Sequence, residues 1–236
     1  MGVLLATSIG PEKEYCKDLL RTAMQLQGVT AAAVACDFNG PRWHIPAPAG
    51  IPAHMFDVDP PKLATIQGRC AYNRAALREY FLRGEWDYLY WHDCDMLPPT
   101  DIVPRLLELN TPVSAGLYVV RGSTEPIFPI LNRGRRRRDN GQTHDMQLRI
   151  DERGLMNVAG YGMGCMLVSR KAIEMTPFRG PMAFDGSMSE DFAWCVDSGT
   201  GVVVDSNIPV WHVDSDGTGV LPRLGETDAI TIEKRG

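Results

Sequence analysis

The sequence predicts one α/β domain, built on a mostly parallel central sheet flanked by helices, with a small antiparallel hairpin region. Three observations carry that reading. The N-terminal part runs strand, helix, strand, an order that implies a parallel pair with a right-handed crossover. Trp86 to Trp91 is an aromatic and aliphatic strand that runs into Asp93-Cys94-Asp95 and is closed by Pro98-Pro99, because proline cannot continue a ladder. Short apolar strands then alternate with helical stretches as far as Val213. The 236 residues suffice for one sizeable core.

Taken in order, Val3 to Ser8 is a short apolar run bounded by Ile9-Gly10-Pro11, hence a buried strand. Pro11-Glu12-Lys13-Glu14 opens a helix, since proline suits the first turn and acids suit its positive end. Gly28 stops that helix, and Thr30 to Phe38 forms the second strand, ending in Asp37. Asn39 to Asp59 reads as a loop with a short strand near Met55-Phe56-Asp57. Asp59 then caps a helix that starts at Pro60-Pro61 and ends before Gly84. On it Arg69 and Asn73 are one turn apart on one face: either a solvated face, or a guanidinium and an amide offered to phosphates. Thr100 to Leu109 is a helix and Thr111 to Arg121 a strand. Pro126 to Leu131 and Met146 to Ile150 read as hairpin arms around a polar loop that holds Arg135 to Arg138 and Asn140-Gly141. Four adjacent arginines read as a solvated loop tip or as a contact for an anion.

Gly160-Tyr161-Gly162-Met163-Gly164-Cys165 precedes the strand Met166 to Ser169. A dinucleotide fingerprint must follow a strand and open a helix, so these glycines instead allow close backbone approach to a ligand, or a bulge. Arg170 to Met175 is a helix. Ser189 caps another, with Glu190 and Asp191 in its first turn. Val202 to Asp205 and Pro209 to Val213 are the last strands, and a polar tail, flexible at first, follows Asp214.

The formal charge of -5 argues against a general nucleic-acid coat or an anionic-membrane binder. No apolar run approaches the roughly 20 residues that a membrane span needs. The N-terminus lacks a basic leader region. Six scattered cysteines without C-x-x-C spacing read as buried, reduced thiols. Together these lead to the expectation of a cytoplasmic protein.

Side chains alternate along a strand, so Asp93 and Asp95 share a face and Cys94 turns to the core. Two carboxylates at a buried strand end require a cation, and a divalent metal supplies one. His92 and His144 read as a core histidine and a loop histidine.

The ordered set of Asp93-Cys94-Asp95, Gly160 to Cys165, Ser189-Glu190-Asp191 and Trp211-His212 resembles the nucleotide-sugar-dependent glycosyltransferases of the GT-A fold, family 2-like, from Val3 to about Val213. The resemblance implies a single Rossmann-like catalytic domain over 1–236. Within it, 1–95 forms the nucleotide-binding half, 96–213 the acceptor-side half and 214–236 a flexible tail or lid. It implies that Asp93-Cys94-Asp95 is the D-x-D motif and that Asp93, Asp95 and His212 hold Mn²⁺ or Mg²⁺. Thr7, Ser8 and Asp37 would lie at the nucleobase, Arg69 and Asn73 at the diphosphate, Asp93 at the ribose or a metal-bound water, and Gly162 beside the ligand. Asp191, with Glu190, would act on the acceptor side, Asp191 taking the proton from an acceptor hydroxyl and inverting the anomeric centre. The donor would be a nucleotide-sugar, with uridine diphosphate as its carrier. The acceptor is left open among a glycan, a protein side chain and a modified DNA base, and the oligomeric state is equally open. Two other readings compete: a metal-dependent nucleotidyl- or phosphoryl-transfer enzyme, and a nucleic-acid binder that uses Arg135 to Arg138.

Overall fold

The computed structural model describes residues 1–10, 16–37, 51–62, 64–118, 132–137, 143–147, 154–184, 189–224 and 230–235. The N-terminal strand β1 (Val3–Ile9) is followed by α1 (Lys17–Ala23), β2 (Ala31–Asp37), β3 (Ala53–Val58) and α2 (Ile66–Arg83). Next come β4 (Tyr88–His92), β5 (Met96–Leu97), α3 (Ile102–Glu108), β6 (Val113–Leu117), β7 (Asn132–Arg137) and β8 (Thr143–Gln147). The chain continues through β9 (Leu155–Val158), β10 (Cys165–Ser169), α4 (Arg170–Met175), α5 (Glu190–Ser198), β11 (Val202–Pro209), β12 (Trp211–Val213), β13 (Gly219–Leu224) and β14 (Ile230–Arg235).

The main sheet has eight strands in the order β3-β2-β1-β4-β10-β6-β11-β9. Strands β3, β2, β1 and β4 are mutually parallel, β10 is antiparallel to both of its neighbours, and β6 and β11 are parallel. All strands of this sheet except β10 and the edge strand β9 therefore point one way, and the sheet is mixed but mostly parallel, as expected. A second, antiparallel sheet runs β14-β13-β12-β5, and β7 pairs with β8 alone.

The central strands are buried on both faces, which is why β1, β2 and β4 read as unbroken apolar runs, whereas the edge strands β3 and β9 are half-exposed. Leu4, Ala6, Leu89 and Trp91 face α2, α4 and α5 through Leu77, Phe81, Ile173 and Trp194. Val3, Leu5, Ile9 and Tyr90 face α1 and α3 through Leu20, Ile102, Val103 and Leu106. α5 ends at Gly199, whose φ of 62° is the left-handed turn that lets its N–H reach the carbonyl of Cys195. No helix among the described residues is long and apolar enough to cross a membrane.

Four expectations change. The helix expected from Pro60 begins at Ile66, because each prolyl ring disfavours helical geometry in the residue before it. Thr65 takes the capping role expected of Asp59: its Oγ1 accepts from the Gly68 N–H at 3.1 Å and donates to the Phe184 carbonyl at 3.1 Å. Second, β4 stops at His92, and Asp93-Cys94-Asp95 form a turn, closed by Met96 N donating to the Asp93 carbonyl at 3.0 Å. Strict alternation therefore does not govern the two aspartates. Third, the hairpin arms are 132–137 and 143–147, so Arg135, Arg136 and Arg137 lie in a strand, in register with Asp145, His144 and Thr143. Ladder bonds use the backbone, so a run of arginines does not exclude a strand. Pro126 to Leu131 and Arg138 lie outside the described residues, as do Pro11 to Tyr15 and Asn39 to Gly50. Fourth, where a tail was expected after Asp214, β13 and β14 add two strands. The polar run Asp214 to Thr218 masks the apolar alternation that follows it.

α2 lies against the short 3-10 turn Pro181–Ala183, and a Cβ on Gly68 would come 2.2 Å from the Pro181 carbonyl oxygen. Alanine ordinarily gains about 1 kcal/mol over glycine within a helix. Here overlap with the Pro181 backbone costs about 1–3 kcal/mol, which exceeds that gain. Gly68→Ala should therefore lower the urea midpoint without changing the denaturant slope; a raised midpoint would contradict this packing.

Candidate active site

The carboxyl ends of parallel strands are where open α/β sheets bind ligands. Here a cavity of about 270 Å³ opens at the ends of β1 and β2 and at the turn after β4, closed by α2 and the start of α5. Its wall contains Ser8, Asp37, Arg69, Asn73, Asp93, Glu190 and Asp191. Those residues were expected to share a site and are separated by as much as 183 positions in the chain. Thr7 is expected there too but is not part of the wall; its buried hydroxyl has no hydrogen-bond partner among the described residues. Gly162 is not part of the wall either; a Cβ there would lie 3.3 Å from Asp191 Oδ2.

Arg74 organises the cavity, and the sequence reading passed over it. It lies on the buried stripe of α2 with Ala71, Leu77 and Phe81. Its Nη2 donates to Asp93 Oδ1 at 2.9 Å, and its Nε lies 3.5 Å from Glu190 Oε1. The guanidinium carbon sits 5.9 Å from the centre of the Trp91 ring. Burial opposes the charge on Arg74, but Glu190, Asp93 and Asp191 outweigh it and hold the group protonated. The available signal was a cation in the core stripe of a helix, where a hydrophobic residue belongs.

Glu190 is pushed up to about 7 by burial, with Arg74 pulling it down and Asp191 pushing it further up. Cys70, also on the wall, is pushed up to about 12 by burial and by Glu190, so it stays a neutral thiol. Arg69 is paired with Asp37, its Nε donating to Asp37 Oδ2 at 3.1 Å and its Nη2 contacting the same oxygen. The charge expected to face a diphosphate is thus shared with a buried carboxylate.

Asp191 Oδ1 accepts from the Phe192 N–H at 2.8 Å, and Oδ2 from the Met163 N–H at 3.4 Å. The glycine-rich segment is thereby fastened to the helix start. Gly162 has a steric reason as well: a Cβ there would come 1.9 Å from the Tyr118 hydroxyl, which accepts from the Gly164 N–H at 3.2 Å. Tyr118 is a second residue the sequence reading missed. Its ring packs edge-on against His212, with centroids 6.2 Å apart.

The expected metal set divides. β12 pairs with β5, matching His212 with Met96, and this brings His212 Nε2 to 3.6 Å from Asp95 Oδ2. Asp93 instead turns to Arg74. No group of three or more His, Cys, Asp or Glu side chains able to hold an ion occurs among the described residues. Asp95 and His212 fit as a carboxylate–imidazole pair of donors, with the remaining positions left to a ligand's oxygens; Asp93 does not fit beside them in this arrangement. His92 is buried as expected and lowered to about 4 by burial, against the pull of Asp93 and Asp95, so it is a neutral imidazole. His144 lies in strand β8, not in a loop. Cys94 is buried in the core, as expected.

The raised Glu190 gives a pH test. Its folded value of about 7 exceeds its usual 4.5. The folded chain therefore holds this proton more tightly, and the stability so gained is complete below about pH 4.5 and lost as pH rises through about 7. Between pH 5 and 8 the melting midpoint of the wild type should fall more steeply than that of Glu190→Gln. Parallel profiles would contradict the burial of Glu190.

No family model and no curated protein matches the sequence. Solved structures do match it. The A197 structure from STIV superposes with a TM-score of 0.55 at 15% identity, covering 100% of this chain and 96% of that one. S. aureus TarS 1-349 gives 0.53 at 10% identity, over 88% of this chain and 58% of that one. TarS 1-349 in complex with UDP-GlcNAc gives 0.52 at 9% identity, over 88% and 56%. This chain spans a little over half the length of TarS 1-349. The likeness establishes a GT-A-like α/β fold: a large, mostly parallel sheet flanked by helices, with a small antiparallel sheet beside it.

Proposed function

We propose that this chain is a glycosyltransferase that moves a sugar from a nucleotide-sugar, with uridine diphosphate as the carrier, to an acceptor hydroxyl. The supporting observation is the cavity at the strand ends, whose wall combines Asp37 and Arg69 at one side with Asp93, Glu190 and Asp191. A fold shared with TarS, solved with UDP-GlcNAc bound, supports the same reading. In it, 1–95 forms the nucleotide-binding half and 96–213 the acceptor-side half.

Ser8 and Asp37 contact the nucleoside, while Arg69 and Asn73 face the diphosphate. Asp95 and His212 would hold Mn²⁺ or Mg²⁺, which would supply Lewis-acid stabilisation for charge on the departing diphosphate. Asp93 takes a hydroxyl of the donor. Asp191, held by the backbone of Met163 and Phe192, accepts the proton of the attacking hydroxyl. Attack from the side opposite the leaving group inverts the anomeric centre.

Asp95→Ala and His212→Ala should each abolish the Mn²⁺-dependent part of the thermal shift given by uridine diphosphate. In the wild type that shift corresponds to about 2.7 kcal/mol at a roughly hundredfold excess over Kd. Asp191→Asn should keep the shift and lose about 10²–10⁴-fold in transfer. Release of pyrophosphate in place of nucleoside diphosphate would show a nucleotidyltransferase instead.

The acceptor side carries a second expectation. β7, with Arg133, Arg135, Arg136 and Arg137, packs against β9, the strand that leads into the glycine-rich segment beside Asp191. An anionic acceptor would find complementary charge there. Replacing Arg135 to Arg138 with glutamine should weaken acceptor binding and flatten its salt dependence, with donor binding unchanged. An unaltered salt slope would remove the hairpin from the acceptor site.

A further inference from the structure

Arg74 lies outside every motif that suggested the function, yet it touches both halves of the cavity. It is almost fully buried, with a side-chain exposure of 7%. Nη2 is bonded to Asp93 in the turn after β4, and Nε is paired with Glu190, the first residue of α5. Nη1 has no hydrogen-bond partner among the described residues. Three acids, Asp93, Glu190 and Asp191, share the cavity wall, and like charges so placed repel one another. A guanidinium is a planar fork that can hold two carboxylates in a fixed relation, whereas an ammonium is a point charge on a flexible stem.

We propose that Arg74 is a positioning residue: its fork ties the turn bearing Asp93 to the start of α5, and so holds Asp191 at a set distance from the donor. The inference rests on the transferase reading given above. Asp191 follows Glu190 directly in the first turn of α5, so whatever fixes Glu190 fixes the helix start from which Asp191 projects. The backbone bond from Asp93 N to the Gly164 carbonyl at 2.9 Å joins the same turn to the glycine-rich segment on which Asp191 rests. Arg74 thus closes a ring made of the turn, the glycine segment, Asp191 and Glu190.

The test compares Arg74→Met, Arg74→Lys, Glu190→Gln and Arg74→Met/Glu190→Gln. For each, kcat and donor KM are measured with the nucleotide-sugar that the wild type turns over, and the melting midpoint is recorded. Misplacing a reacting group by about 1 Å can cost about 10²-fold in rate. Arg74→Met should therefore lose about 10²-fold in kcat, with donor KM changed less than about threefold. Arg74→Lys keeps the charge without the fork, and should melt near the wild type with kcat between the two. The double variant removes one cation and one acid together. Its melting midpoint should recover towards the wild type while kcat stays at the Arg74→Met level.

Recovery of kcat along with the midpoint would show a merely structural ion pair and overturn the proposal, as would wild-type kcat in Arg74→Met. Should Arg74→Met fail to fold, Arg74→Lys and the double variant decide in the same terms. A wild type that turns over no nucleotide-sugar removes the transferase reading and this inference with it. Normal wild-type turnover with an unimpaired Arg74→Met removes the inference alone.

Discussion

A buried cation shared by acids from distant parts of the chain is the constraint on which this site depends. Asp93, Glu190 and Asp191 line one small cavity, and burial there raises the cost of ionising Glu190. Arg74 and Glu190 are almost fully buried, at 7% and 8% exposure, while Asp93 keeps 38%. Arg74 allows the carboxylates to coexist, and it does so from a helix position that packing would assign to a hydrophobic residue. Removing one partner of such a buried pair is far more disruptive than replacing both together. α2 is therefore a site element as much as a core element: Leu77 and Phe81 anchor it on the sheet, and Arg74 spends the same stripe on electrostatics.

The sheet explains why these residues meet. β1, β2 and β4 run parallel and end at one edge, which delivers Ser8, Asp37 and the turn at Asp93 to the same side of the molecule. The antiparallel strand β10 is inserted between β4 and β6. Its N-terminal approach, Gly160 to Gly164, is thereby placed beside the turn that holds Asp93. Glycines there are steric requirements: a side chain at Gly162 would occupy the space of the Tyr118 hydroxyl, and one at Gly164 would meet Met96 and Tyr118. The run that looked in sequence like a place for a ligand is at least equally a place where backbone, tyrosine and carboxylate pack without room to spare.

Much of the fold was legible because burial on both faces leaves long apolar runs, and Val3 to Ile9, Ala31 to Asp37 and Tyr88 to His92 stand out against polar surroundings. Element ends were less legible. Pro60-Pro61 suggests a helix start in the abstract, but Thr65 has a hydroxyl that reaches both Gly68 and Phe184, and the second contact is tertiary. β13 and β14 were hidden behind Asp214 to Thr218, whose polarity dominates the local reading. For the site, residue types that are costly to bury single out Asp37, Asp93, Glu190 and Asp191, which line one cavity, and Asp95 and His212, which lie against each other. Which of them touch was not legible. Asp93 and Asp95 looked equivalent under strand alternation, but a turn sends one to Arg74 and the other to His212. Arg74 sits on the buried stripe with Ala71, Leu77 and Phe81, a face that the one-turn spacing of Arg69 and Asn73 does not reveal.

The two-residue strand β5 bears on when the molecule can be completed. It follows Asp95 immediately and is held by β12, which lies more than a hundred residues later and is itself paired with β13. Closing so long a stretch of chain carries a large entropic cost that only the finished contacts offset. On a ribosome, the β1–β2–β4 framework can emerge and begin to fold while Asp95 still lacks His212. The Asp95–His212 pair is thus a late event in the life of each chain, formed only once Trp211 to Val213 have been added.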